Sequence, residues 1–126
     1  MSQLQLVNFE QAKRLKKLGF DWCDEHYYAV TYNRGVVLRT RNLLMTDTEI
    51  IERARGYTAP TVALALKWFR DVKGIYVDGG FYVTNKNWRF YYGEIKDTLT
   101  EKRTDEFDNY EAAESAVLYA LLHQFS

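Results

Sequence analysis

Apolar residues recur every three or four positions in four stretches of this 126-residue chain, and the segments between them alternate apolar with polar. Ala12, Leu15 and Leu18 form the first helical stripe. Asn8 stands ahead of it as an N-cap with Gln11 in reciprocal register, and Gly19 closes it, so a helix is predicted over 9–18. Ile50, Ile51 and Ala54 make a shorter stripe behind a Thr46/Glu49 capping pair, which predicts a helix near 47–55. The clearest stripe is Val62, Ala65, Leu66, Phe69 and Val72, with Pro60 expected in the first turn and Gly74 as terminator. The last is Ala113, Ala116, Val117, Ala120 and Leu121, behind Asp108 and Glu111 in capping register.

The strand signals lie between these helices. Residues 26–32 are β-rich, Asn33-Arg34-Gly35 is a turn signal, and Val36-Val37-Leu38-Arg39 follows, which predicts a hairpin. Further on, Asp78-Gly79-Gly80 and Asn85-Lys86-Asn87 both look like turns, so strands are expected at 75–78, 81–85 and 88–96. The expected fold class is α+β: one domain over 1–126 with an antiparallel sheet and helices packed on one face. Its core is a helix–three strands–helix unit at 58–125.

Chemistry is sparse. Cys23 and His26 have a C-x-x-H spacing, but zinc would need two more ligands, and His123 is the only other histidine. A Cys–His nucleophile would also need an oxyanion site, which nothing in the sequence announces. Gly79 and Gly80 belong to no phosphate-loop pattern. No catalysis, metal or cofactor is therefore expected. A single cysteine excludes an internal disulfide, no signal-peptide region is evident, and Lys67 and His123 interrupt the longest apolar runs; a cytoplasmic protein is expected.

Charge changes this picture little and aromatics change it more. Seventeen basic and seventeen acidic residues balance, but residues 1–41 carry +3, 42–96 carry +2 and 97–126 carry −5. The lysines and arginine at 13, 14, 16 and 17 are expected on a solvated helix face. Aromatics make up 16% of the chain, with ten tyrosines. Strand alternation puts Tyr76, Tyr82, Thr84, Arg89 and Tyr91 on one sheet face, opposite Ile75, Val77, Phe81, Val83, Trp88, Phe90 and Tyr92. If helices cover the second set, then Tyr76, Tyr82, Arg89 and Tyr91 form a candidate binding surface. Tyrosines around an arginine suit a protein partner, a second copy of the chain or, alternatively, a nucleotide or single-stranded nucleic acid. The plainer reading is a tyrosine-rich sheet covered by the N-terminal segment.

Ala59-Pro60-Thr61 opening a helix with Lys67-Trp68-Phe69-Arg70-Asp71-Val72-Lys73-Gly74, followed by Tyr-rich strands and a Tyr110-Glu111-Ala112-Ala113-Glu114 helix, resembles an uncharacterised family of small proteins from gut bacteria and their phages. The likeness spans 9–32 and 57–125. That family has no known activity, so it implies no functional residue. The order helix–three strands–helix is also similar to double-stranded RNA-binding domains. Those carry lysines at the start of the last helix, where this chain has Asp105, Glu106, Asp108 and Glu111, so duplex nucleic acid is not expected as a partner. The functional expectation is a non-enzymatic interaction domain.

Overall fold

The Asn8 side chain accepts the Gln11 N–H at 2.8 Å while the Gln11 amide oxygen accepts the Asn8 N–H at 2.9 Å, the expected capping box. It opens helix α1, Phe9–Lys17. At the other end Gly19 takes a φ of +99°, and the Phe20 N–H reaches back to Leu15 O at 2.9 Å. The computed structural model describes residues 5–22, 26–31, 33–40, 55–82 and 86–125. The helix expected near 47–55 falls almost wholly outside the described residues, as does Cys23. The described chain divides into two compact units, one within 6–61 and the other formed by 62–125 with Gln5.

In the first unit, strand β1 (His26–Thr31) pairs antiparallel with β2 (Gly35–Thr40) on one side and with the short β3 (Tyr57–Thr58) on the other. The Thr31 hydroxyl donates to Gly35 O and accepts the Arg34 N–H, which pins the predicted hairpin turn. Phe9 seats α1 on the sheet, with its ring edge-on to Tyr28 and Tyr57 at 5.8 and 5.5 Å. The lysine face of α1 is not purely solvated: Lys16 lies over the Tyr57 ring and donates to Gly56 O at 2.9 Å. Pro60 does not sit in a helical turn. It precedes the next helix, and its carbonyl accepts the Val7 N–H.

The second unit holds helix α2 (Val62–Lys73), strands β4 (Ile75–Tyr82), β5 (Asn87–Glu94) and β6 (Asp97–Arg103), and helix α3 (Tyr110–Phe125). The class is α+β, with antiparallel sheets and helices packed against them. The strands differ from the expected three. Asp78-Gly79-Gly80 is not a turn, because β4 runs straight through it and pairs with β5 from Ile75↔Glu94 to Tyr82↔Asn87. The third strand is β6, a polar segment that strand propensity does not single out.

The reason lies opposite Gly79. Its partner across the ladder is Phe90, and a Cβ on Gly79 would overlap the Phe90 ring. The glycine is a slot for an aromatic ring, not a hinge. Phe90 is buried, as are Ile75 and Tyr92 on the same face.

Both helices lay apolar stripes on that face. Val62, Ala65, Leu66 and Phe69 are buried as expected, and Trp68 joins them. Val72 does not, at 53% exposed. It has the right angular position on the helix but sits in the last turn, at the end of the covered stretch. On α3 the buried seam is Ala113, Val117 and Leu121 widened by Glu114, Leu118 and Leu122, so Ala116 and Ala120 are only half-buried. The cap also moves one residue: Asn109, not Asp108, accepts the Ala112 N–H at 2.8 Å. Among the described residues no helix is long and apolar enough to cross a membrane.

Gly79→Ala is expected to cost about 1–3 kcal/mol in chemical denaturation through overpacking against Phe90. In a Phe90→Leu background, where the ring is gone, the same change should cost less. Equal costs in the two backgrounds would mean that the ring does not occupy the slot.

Candidate functional site

Directly opposed residues of an antiparallel pair share a sheet face, so the β4–β5 register places Tyr76, Asp78, Arg89 and Tyr91 together, away from Val77, Phe90 and Tyr92. Three of the four predicted site residues, Tyr76, Arg89 and Tyr91, are thus on one face, all half-buried. Parity survives the misplaced turn because β4 continues unbroken through it. The Tyr82 backbone pairs with Asn87, and its side chain lies outside the described residues, as does Thr84. Arg103 opposes Tyr91 from β6 and adds an exposed cation to the face.

Carboxylates answer the polar groups here. The Tyr76 hydroxyl donates to Glu101 at 2.6 Å, and this hydrogen bond, more than partial desolvation, pushes the phenol pKa up to about 12. One Arg89 Nη donates to Glu106 at 3.2 Å, and the Asn87 amide donates to the other Glu106 oxygen at 3.1 Å. The Arg89 side chain is 21% exposed, and its Nε is enclosed with no hydrogen-bond partner among the described residues.

Backbone pairing explains how Glu106 gets there. After β6, Thr104 continues along β5: its N–H donates to Phe90 O at 2.9 Å, while its hydroxyl accepts the Phe90 N–H at 3.1 Å. Pairing resumes at Trp88↔Phe107 through two bonds of 2.7 and 2.8 Å. Two steps on β5 are thereby matched by three on the outer segment. The extra residue is a bulge, and it aims Glu106 at Arg89. The acidic run before the last helix therefore has a structural use that composition alone does not reveal.

On the helix-covered face one buried charged residue stands out. Glu114 is only 8% exposed and accepts a hydrogen bond from Tyr110, one helical turn earlier. Burial, reinforced by the neighbouring Glu111, raises its pKa. Tyr110 is pushed up to about 12, first by burial and then by its bond to Glu114. Nothing in the helix stripe marks this carboxylate, since a helical Glu beside alanines looks solvent-facing.

The remaining chemical candidate was Cys23 with His26. His26 begins β1, and Cys23 lies outside the described residues. No group of three or more His, Cys, Asp or Glu side chains is placed to hold a metal among the described residues. No family model matches the chain, and no match was found among curated proteins or among solved structures.

Glu114 gives the fold a pH dependence with a definite sign. Its proton is held more tightly in the folded chain than in the unfolded one. The contribution is therefore fully present below the unfolded value of 4.5 and is lost as pH rises through the folded pKa. The charged or titratable groups around it are Tyr110 and Glu111 on its own helix and Lys67 and Arg70 from α2. Glu114→Gln, which keeps an acceptor for Tyr110, should flatten the decline in melting temperature over that range. An unchanged pH profile in the variant would show that Glu114 ionises as freely as in water.

Proposed function

We propose that this domain is a non-enzymatic interaction module that takes a protein partner on the Tyr76–Arg89–Tyr91 sheet face. The observation that carries the reading is the combination on that face of half-buried tyrosines with an arginine already paired to a carboxylate. Tyrosine supplies large contact area at low side-chain entropy, and arginine supplies directional donors; both are enriched where interface energy concentrates.

Charge weighs against the nucleotide or nucleic-acid alternative. Affinity for a phosphate chain rests on cations free to displace counterions. Here Glu101 and Glu106 stand beside Tyr76 and Arg89, and Asp78 is exposed between them. A mixed, near-neutral polar field around aromatic rings suits a protein surface better than a polyanion.

A photo-crosslinking phenylalanine analogue at position 91 tests this, with the same group at position 119 as control. Tyr119 is 61% exposed on α3, away from the face in question. The expected result is a protein adduct from position 91 alone, unchanged by nuclease or added salt. Once the partner is isolated, Tyr91→Ala should weaken its binding by more than about 1 kcal/mol and change folding stability less. An adduct with nucleic acid, or no adduct at all, would overturn the reading; an adduct with a second copy would make the partner the chain itself.

A further inference from the structure

Helices α2 and α3 do not close completely over the sheet. Between them is a cavity of about 310 Å³, floored by Val77 and Phe90 and walled by Leu66 on one side and Tyr110 and Glu114 on the other. The volume is at the lower end of the range for small-molecule sites, and the lining is half apolar (Ala63, Leu66, Val77, Phe90) and half polar or charged (Lys67, Arg70, Tyr110, Glu114).

The charges of the cavity are unevenly matched. Lys67 and Arg70 also line it, but Asp71 holds both, at 2.6 Å from the Lys67 ammonium and 3.2 Å from Arg70 Nε. Glu114 has the Tyr110 hydroxyl on its carboxylate and, among the described residues, no cationic side chain within ion-pair distance. An ionised carboxylate has about four acceptor sites, so one phenol leaves most of them unused. Burying such a group without a counter-charge is a cost that an apolar residue at the same helix position would avoid. Glu114 is therefore a buried carboxylate whose hydrogen bond comes from a neutral phenol, and the group that would balance its charge is a cation with N–H donors.

We propose that this cavity binds a small organic amine, a primary ammonium on an apolar body, with Glu114 as its counter-charge. The ammonium pairs with the Glu114 oxygens that Tyr110 leaves open. The apolar body lies on Val77, Leu66 and the Phe90 ring, whose face also favours a neighbouring cation. Tyr110 acts as a positioning residue that holds the carboxylate. An anionic ligand of the same shape is excluded by repulsion from Glu114. The site lies on the opposite face of the sheet from Tyr76, Arg89 and Tyr91 and does not depend on their having a partner.

Phenethylamine and 3-phenylpropionate, titrated into the full-length chain and followed by amide chemical shifts, separate the outcomes. The proposal expects saturable shifts at Val77, Phe90 and Glu114 with the amine and none there with the acid. Glu114→Gln should weaken the amine at least tenfold. Ala63→Leu, at an exposed rim position of the cavity, should do the same by narrowing the entrance without disturbing the core. An amine that causes no saturable shift, an acid that binds as well as the amine, or a folded Glu114→Gln that keeps wild-type affinity would overturn it. If Glu114→Gln fails to fold, unchanged affinity in Ala63→Leu overturns it equally.

Discussion

The contact between Phe90 and Gly79 is the constraint on which the second unit depends. A ring lies where a Cβ at position 79 would be, so β4 passes under it instead of turning back. The ring's position then governs what packs above it. Its centroid is 5.6 Å from that of Tyr110, which begins α3, and Tyr110 in turn meets Trp88 edge-on at 5.2 Å. The same ring floors the cavity beside Glu114. One absent methyl thus links the strand order, the seating of the last helix and the shape of the space beneath it.

The two faces of that sheet treat charge in opposite ways. On the tyrosine face, Arg89 has Glu106, Tyr76 has Glu101, and the bulge after Thr104 exists in register terms to bring Glu106 into place. Such exposed or half-exposed pairs add little stability. The Glu106 pairing offsets the charge of Arg89, while Arg103 adds an exposed cation to the same face. Under the helices the arithmetic is reversed. The two cations at the cavity are taken up by Asp71, and the carboxylate is left with a phenol.

Much of the fold was legible in residue order. The Asn8/Gln11 box, the Gly19 closure, the hairpin at 33–35 and the core positions of α2 all rest on interactions within a few residues of each other, so local pattern suffices to find them. The candidate face was legible too, since alternation along a strand is a local property: Tyr76, Arg89 and Tyr91 share a face whether or not a turn interrupts β4. Glu101 and Glu106, which set the character of that face, were not. They come from segments 25 and 17 residues away in the chain from their partners, and only the register of β6 and its bulge brings them in.

The sequence by itself determined the class: helices and antiparallel strands, which faces are apolar, and where most helices start and stop, because these depend on periodicity and capping. Only the tertiary structure decided the meaning of Asp78-Gly79-Gly80, since glycine serves equally as a turn and as a slot, and the choice is made by a ring eleven residues further on. The same holds for Asp97–Arg103, a polar strand held by its pairing with β5 and not by propensity, for Val72, exposed by its place at a helix end, and for Glu114, buried because α3 settles with its Leu118 side against the unit. In each case the residue's own chemistry permits two environments, and packing against a distant part of the chain selects one.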